Sequence, residues 1–230
     1  MNLSGKVLAI TGSDGVLGRA AAAILSGYGA KLALLAHGNS PTPGQPPGSR
    51  YYGGIDLTQE DAARSVMARI VDEAGRLDGL INIAGGFTWE KVSGGTLHAW
   101  ESMYKLNLVT TVASCQAALP HLLKAGGGRI VNVGAMGAAK AAAGMGAYAA
   151  SKAGVARLTE ALADELKDSG ITVNAILPST LDTPRNRLDM PQADFTRWVS
   201  PADAAEVIAF LVSDQARAVT GALIPVAGRV

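Results

Sequence analysis

Tyr148 and Lys152 are the two residues whose types and spacing best suit acid–base chemistry. They lie four positions apart at the start of a predicted helix, so both side chains share one helix face. An ammonium group beside a phenol stabilises the phenolate and lowers the phenol pKa from its ordinary value of about 10. Tyr148 is therefore a candidate proton donor or acceptor near neutral pH.

A glycine-rich turn, Thr11–Gly18, follows the first predicted strand and precedes the first predicted helix. Its glycines stand at positions 12, 15 and 18. Glycine permits a tight turn and a close approach of backbone N–H groups to a pyrophosphate, and the helix N-terminus adds partial positive charge. The position of the turn favours dinucleotide binding, with an ordinary glycine-rich turn as the alternative.

The second predicted strand, Lys31–Ala36, ends without an acidic residue. An acid at this point would bind the ribose hydroxyls of NAD and repel a 2′-phosphate. His37, Asn39, Ser40 and Arg50 follow instead, and each can donate a hydrogen bond to a phosphate. The sequence therefore predicts NADP(H) in preference to NAD(H), although His37 is also compatible with a solvated loop.

Short β-type segments alternate with helical segments along the chain, which predicts a doubly wound parallel sheet. The expected fold class is α/β, a single Rossmann-type domain over residues 1–230 with about seven strands and helices on both faces. The predicted strands are Val7–Thr11, Lys31–Ala36, Tyr51–Ile55, Gly79–Ile83, Ile130–Val133, Ile171–Leu177 and Ala222–Val226. The predicted helices are Val16–Tyr28, Thr96–Lys124, Tyr148–Ser169 and Pro201–Ser213.

The segment Gly38–Gly54 interrupts this alternation, because it carries prolines at 41, 43, 46 and 47. Proline lacks the amide proton and clashes with the preceding helical turn. The crossover between two parallel strands is therefore predicted to be a loop. Two interpretations remain, a tolerated surface deletion or an opened adenosine pocket.

The composition excludes several function classes. A net charge of +1 gives no reason to expect nucleic acid or an anionic membrane as a partner. No apolar segment approaches the roughly 20 residues of a membrane span, and no signal peptide is visible. The single cysteine, Cys115, is predicted to be a packed core thiol, and a reducing cytoplasm is the expected compartment. No metal site is predicted.

Six motifs then occur in a fixed order along the chain. They are Thr11–Gly18, Asp56-Leu57-Thr58, Asn82-Ile83-Ala84-Gly85, Asn107, Tyr148 with Lys152, and Pro178–Pro184. Through these motifs, and over almost its whole length, the chain resembles the short-chain dehydrogenase/reductase family, whose members transfer hydride between a nicotinamide cofactor and a small molecule.

The resemblance implies roles for individual residues. Tyr148 and Lys152 match the catalytic pair, and Asn107 matches an asparagine that supports a proton-relay water. It also implies a dimer or tetramer assembled through the two long helices. The cofactor-binding residues expected on this basis, with the strand-end His37, are Gly12, Ser13, Asp14, Gly15, Val16, Leu17, Gly18, His37, Asp56, Leu57, Asn82, Ala84, Gly85, Tyr148, Lys152, Pro178, Leu181 and Thr183.

Two positions depart from the family pattern. Val16 stands where a glycine is usual, with Gly15 as the nearest substitute. Ala135 stands where the family has its catalytic serine, and it cannot donate a hydrogen bond to a substrate carbonyl. Three explanations remain open: a substrate that needs no serine, as in the quinonoid dihydropteridine reductases; another donor such as Ser179 or Thr180; or cofactor binding without efficient catalysis.

The segment from about 184 to 200 is predicted to be a substrate lid, by resemblance. Its arginines, at positions 185, 187 and 197, either clamp an anionic group or lie on a solvated outer face. Phe195 and Trp198 belong to the same segment, and Phe87 and Trp89 are candidates to border the substrate pocket. Trp100 is predicted to pack in the core.

Overall fold

Seven parallel strands form one sheet in the computed structural model, which describes residues 1–230. Their bounds are β1 Val7–Thr11, β2 Lys31–Leu35, β3 Arg50–Tyr52, β4 Gly79–Asn82, β5 Gly128–Val133, β6 Ile171–Pro178 and β7 Leu223–Val226. The order across the sheet is β3-β2-β1-β4-β5-β6-β7. The predicted doubly wound parallel sheet is confirmed.

Helices cover both faces of the sheet. Their bounds are α1 Val16–Gly27, α2 Glu60–Ala74, α3 Leu97–Met103, α4 Thr110–Lys124, α5 Gly146–Glu165, α6 Pro184–Asp189 and α7 Pro201–Val212. One apolar core lies between the sheet and α2, α4 and α5, and a second lies between the sheet and α1 and α7. Because both faces are covered, the central strands are continuous apolar segments.

Helix α2 was not among the predicted elements, although its sequence carries helix signals. Glu60 and Asp61 lie in its first turn, where negative charge stabilises the helix N-terminus. Gly75 follows its last turn with φ of 82°, a left-handed conformation that favours glycine. Its buried side chains, which pack on the sheet, are Ala63, Val66, Met67 and Ile70.

The predicted helix Thr96–Lys124 is interrupted by a π-helical turn, Tyr104–Val109, between α3 and α4. Such turns occur often at functional sites, because the extra residue shifts the side chains and frees backbone groups. The carbonyl oxygen of Asn107 accepts a hydrogen bond of 2.8 Å from the Thr111 hydroxyl. This irregular turn positions Asn107 in the cleft described below.

The proline-rich crossover is a loop, as predicted. No helix lies between β2 and β3, and the third strand is only Arg50–Tyr52, shorter than the predicted Tyr51–Ile55.

Cys115 and Trp100 are both predicted to be core residues, and the structure confirms this for Cys115 alone. Cys115 is buried, as predicted, and burial raises the pKa of its thiol to about 12. Trp100 is 39% exposed, so the prediction that it packs in the core is wrong.

None of the helices has both the length and the apolar composition that a membrane crossing requires.

Candidate active site

The glycine turn lies where the strand order reverses, between β1 and β4. Gly12 has φ of +67°, and a Cβ atom there would lie 2.7 Å from the backbone nitrogen of Ala84. The Thr11 hydroxyl accepts hydrogen bonds from the amides of Ile83, at 3.1 Å, and Ala84, at 3.2 Å. The turn is thus tied to the end of β4, and ligands of open α/β sheets bind at such reversal points.

The N-terminus of α1 has the free backbone N–H groups of an anion-binding site. The backbone N–H groups of Val16, Leu17 and Gly18 have no acceptor within the protein. The first turn carries no acidic side chain, and Gly15 provides no side-chain cap. A Cβ atom on Gly18 would collide with the carbonyl oxygen of Gly12, so only glycine fits there. Free amides and a positive helix end suit the diphosphate of a dinucleotide.

Three of the expected cofactor residues direct their side chains into the protein. The Ser13 hydroxyl donates to the carbonyl of Leu35 at 3.1 Å, which ties the turn to β2. Leu17 packs in the core. The Asn82 amide group donates to Asn132 Oδ1 at 2.9 Å, inside the sheet. These side chains shape the site without facing the cleft.

Asn107, Lys152 and Gly85 converge at the other end of the cleft. A Cβ atom on Gly85 would lie 2.6 Å from Asn107 Oδ1 and 3.3 Å from Lys152 Nζ. Asn107 Oδ1 accepts a hydrogen bond from the Gly86 amide at 2.8 Å, and Asn107 Nδ2 donates to the Ser151 hydroxyl at 2.9 Å. Glycine is required at 85, because a side chain would displace Asn107 or Lys152.

Helix α5 carries both Tyr148 and Lys152. The Ser151 hydroxyl donates to the Tyr148 carbonyl at 2.7 Å, so Asn107 is connected through Ser151 to the turn that holds the phenol. Lys152 Nζ donates to the Val133 carbonyl at 2.7 Å, at the end of β5. Ser151 is not among the residues predicted from the sequence, although its place in the Tyr-Ala-Ala-Ser-Lys segment is a usable signal.

Burial dominates the ionisation of this pair. It lowers the pKa of Lys152 to about 8, because the ammonium ion is withdrawn from water. It raises the pKa of Tyr148 for the corresponding reason, since the phenolate is disfavoured. The ammonium group contacts Val133 rather than the phenol, so Lys152 does not offset the rise in the Tyr148 pKa in this structure.

Ala135 follows β5 with an extended backbone, φ −160° and ψ 142°, and it is buried. The Phe87 ring meets the Tyr148 ring edge-on, with 5.0 Å between centroids. Of the two replacement donors considered, the Ser179 hydroxyl already donates to the carbonyl of Ala227 at 2.7 Å. Thr180 is partly buried, and no hydrogen bond of its hydroxyl is present.

Asp56, Leu57 and His37, which are expected to contact the cofactor, follow the ends of β2 and β3. Hydrogen bonds from the Thr58 hydroxyl and amide hold the pKa of Asp56 below its ordinary value. Leu57 is buried and His37 is exposed. Arg50, the other expected phosphate donor, begins β3 and pairs with Glu73 at 2.7 Å.

The predicted lid begins after β6. Pro178 is buried at the end of that strand, Leu181 pairs with Val199, and the Thr183 hydroxyl caps α6 by accepting from the Asn186 amide at 3.2 Å. The lid arginines have partners of their own: Arg185 with Asp189, Arg187 with Asp182, and Arg197 with the carbonyl of Arg229. This arrangement favours the solvated outer face over an anion clamp.

The sheet, the free N–H groups of α1 and the Tyr–Lys pair define a nucleotide-binding α/β oxidoreductase. A family model described as short chain dehydrogenase matches residues 6–193. The chain therefore belongs to the short-chain dehydrogenase family, and it is an NAD(P)(H)-dependent enzyme.

Individual relatives agree with this assignment. The chain is 31% identical to the 3-oxoacyl-acyl-carrier-protein reductase FabG of Vibrio cholerae, over 99% of this chain and 98% of that protein. It is 35% identical to the cis-4-hydroxycyclohexanecarboxylate dehydrogenase of Sinomonas cyclohexanicum, over 97% and 95%. The structure of carveol dehydrogenase from Mycobacterium avium in complex with NAD superposes with a TM-score of 0.88 at 28% identity, over 99% and 98%.

Proposed function

We propose that the protein interconverts a small carbonyl compound and its alcohol, with Tyr148 as the proton donor and acceptor. The observation that carries this proposal is the convergence of Asn107, Lys152 and Gly85 beside the helix that bears Tyr148. The named reductase and dehydrogenase relatives act on ketone or alcohol groups, which supports the same reaction type.

Different residues bind the cofactor, transfer the proton and position helix α5. The free amides at the start of α1 bind the diphosphate, and Asp56 binds the adenine ring. When bound, the nicotinamide supplies or accepts the hydride. Tyr148 gives a proton to the developing alkoxide or takes one from the alcohol, and Lys152, one helical turn further along α5, provides positive charge in the same cleft. Asn107 anchors the Gly86 backbone and Ser151, and so fixes α5 against the cleft.

A binding and turnover experiment tests this proposal. NADH and NADPH are titrated by calorimetry, and the enzyme is then assayed on a panel of ketones, alcohols and quinones. We expect nucleotide binding and ketone or alcohol turnover. Binding without turnover on any substrate would support a nucleotide-binding protein with degenerate catalysis, and failure to bind either nucleotide would contradict the proposal.

Ala135 favours a second candidate, an enzyme for a quinonoid or imine-like acceptor. Such an acceptor does not depend on a hydroxyl donor at this position, as in the quinonoid dihydropteridine reductases. The edge of Phe87 against Tyr148 adds an apolar aromatic wall that suits a flat acceptor. The same panel distinguishes the candidates, because quinones would be reduced faster than simple ketones.

The reduction is expected to slow as the pH rises through about 8. Lys152 is charged below its lowered pKa of about 8 and neutral above it, whereas Tyr148 keeps its proton because burial raises its pKa. The profile of kcat/KM against pH reports these free-enzyme ionisations. Lys152→Arg should move the decline to higher pH, since guanidinium stays charged. Lys140→Met, at an exposed position, is the control; an unchanged decline in Lys152→Arg would contradict this assignment.

The preference for NADP(H) stays a prediction from the acid-free end of β2. Of the donors considered there, His37, Asn39 and Ser40 remain exposed and Arg50 is engaged with Glu73. The titration of both cofactors tests this prediction directly. Tighter binding of NADH would contradict it.

Two further proposals, on a lid and on the oligomeric state, rest on the family. Residues from about 184 to 200 form a lid that closes over substrate. The chain forms a dimer or tetramer through its long helices, and the exposed apolar side chains Leu97, Tyr104 and Leu106 near α4 are consistent with a covered surface. Light scattering during gel filtration measures the oligomeric state.

The enzyme is expected in the cytoplasm, where its single cysteine stays reduced.

A further inference from the structure

A carboxylate lies at the end of β2 although that strand carries no acid. It belongs to Asp14, in the glycine turn, which the fold brings against the loop that follows β2. A side chain starting at Gly38 would have its Cβ atom 3.2 Å from Asp14 Oδ2. Gly38 is three residues past the last residue of β2, Leu35. The acid thus occupies the neighbourhood in which a dinucleotide fold normally recognises the adenosine ribose.

The proline-rich loop fixes this carboxylate. The Thr42 hydroxyl lies 2.7 Å from Asp14 Oδ1, and the Tyr51 hydroxyl lies 2.9 Å from Asp14 Oδ2. The Tyr51 hydroxyl is also within 3.0 Å of the carbonyls of Gly38 and Ser40, so it links Asp14 to the loop backbone. The proline-rich segment that stands in place of a crossover helix therefore supplies these contacts.

Both acidic and basic side chains lie at this end of the cleft. Asp56 adds a second acid at the adenosine end of the cleft. Arg50 is paired with Glu73. The Arg19 guanidinium donates to the backbone carbonyl of Asp14 at 2.6 Å and has no carboxylate partner. His37 is the other basic side chain at this end of the cleft.

We propose that Asp14 determines cofactor specificity, accepting hydrogen bonds from the adenosine ribose hydroxyls and repelling a 2′-phosphate, so that the enzyme prefers NAD(H). The inference rests on the proposed nicotinamide-dependent function. The acid-free end of β2 predicts the opposite preference, for NADP(H). The sequence does not reveal that the fold places Asp14 beside that strand end. A carboxylate has four lone-pair positions, so the bonds from Thr42 and Tyr51 leave acceptors for the ribose.

Calorimetric titration of NADH and NADPH into the wild type, Asp14→Asn and Asp14→Ser tests this proposal. The wild type should bind NADH more tightly, by roughly tenfold or more, since like charges at close range are strongly unfavourable. Both variants should bind NADPH roughly tenfold more tightly than the wild type, and NADH somewhat more weakly. Asp72→Asn, at an exposed position in α2, is the matched control that removes a carboxylate elsewhere.

Two loop variants separate the charge of Asp14 from its contacts. Thr42→Val and Tyr51→Phe each remove one hydrogen bond to the carboxylate but keep its charge. They should leave the ratio of the two affinities nearly unchanged, even if loosening the loop weakens both. Thermal unfolding confirms that each variant is folded.

Three results would overturn the inference. Tighter wild-type binding of NADPH is the first. The second is an equal effect of Asp14→Asn on both cofactors, which would mean that Asp14 only anchors the loop. The third, binding of neither nucleotide, would remove the proposed function and this inference together, whereas the first two leave the proposed function intact.

Discussion

Tyr148→Phe is expected to lower kcat by roughly 10²–10⁴, the contribution typical of a positioned general acid or base. The substitution removes only the hydroxyl, so the aromatic contact with Phe87 at 5.0 Å is kept. The backbone hydrogen bond from Ser151 to the Tyr148 carbonyl is also unaffected. Affinity for the nucleotide should therefore change little, and steady-state kinetics with calorimetry measures both quantities.

Tyr104→Phe provides the matched control, because Tyr104 is an exposed tyrosine in the π-helical turn. It should retain wild-type turnover. Undiminished turnover in Tyr148→Phe would show that another group carries the proton. A loss of turnover together with a loss of nucleotide binding would indicate damage to the cleft and would contradict the specific role in proton transfer.

Ala135→Ser is expected to raise kcat on simple ketones by on the order of 10²-fold, the effect of one donor aimed at a developing oxyanion. The backbone at Ala135 is extended, and the residue begins the short helical turn Met136–Ala138. A serine adds one oxygen to the alanine side chain, which is a small change for a buried position. Because the change acts on the transition state, the gain should appear in kcat with little change in cofactor affinity.

The same variant separates the three explanations for the missing serine. If catalysis on ketones is limited by the missing donor, the variant gains on ketones. If the natural substrate is quinonoid or imine-like, turnover of that substrate stays the same or falls while ketones gain. A protein that binds cofactor without catalysis gains on neither.

Ala139→Ser, four residues further along at an exposed position, is the control and should leave turnover unchanged. The decisive negative result needs a structure as well as kinetics. If a crystal structure of Ala135→Ser shows the hydroxyl beside Tyr148 and ketones are still not reduced faster, the missing donor is not the limiting defect.

The sequence by itself determined the parallel sheet, the glycine turn and the placement of Tyr148 and Lys152 four residues apart on one helix. These features depend on local rules: apolar runs of strand length, glycine where a side chain does not fit, and a spacing of four on one helix face. Helix α2, Glu60–Ala74, carries local helix signals of the same kind but is not among the elements predicted from the sequence. Element bounds also shifted by a few residues, since tertiary packing decides where a helix or strand ends.

Only the tertiary structure decided which polar side chains are free to act. Arg50 reaches Glu73, the lid arginines find partners, and the Ser179 hydroxyl is engaged with the C-terminal segment. The π-helical turn that presents Asn107 likewise has no local pattern that predicts it.

Asp14 shows why the sequence is insufficient for cofactor choice. Its partners Thr42 and Tyr51 lie 28 and 37 residues away along the chain. The sequence shows that the end of β2 has no acid, but the charge at that point is set by whatever the fold brings near it. Electrostatic interactions depend on distance in space. The candidate catalytic residues can therefore be predicted from the sequence. The charge that selects between the cofactors depends on how a loop packs, and the sequence shows only that this loop is rich in proline.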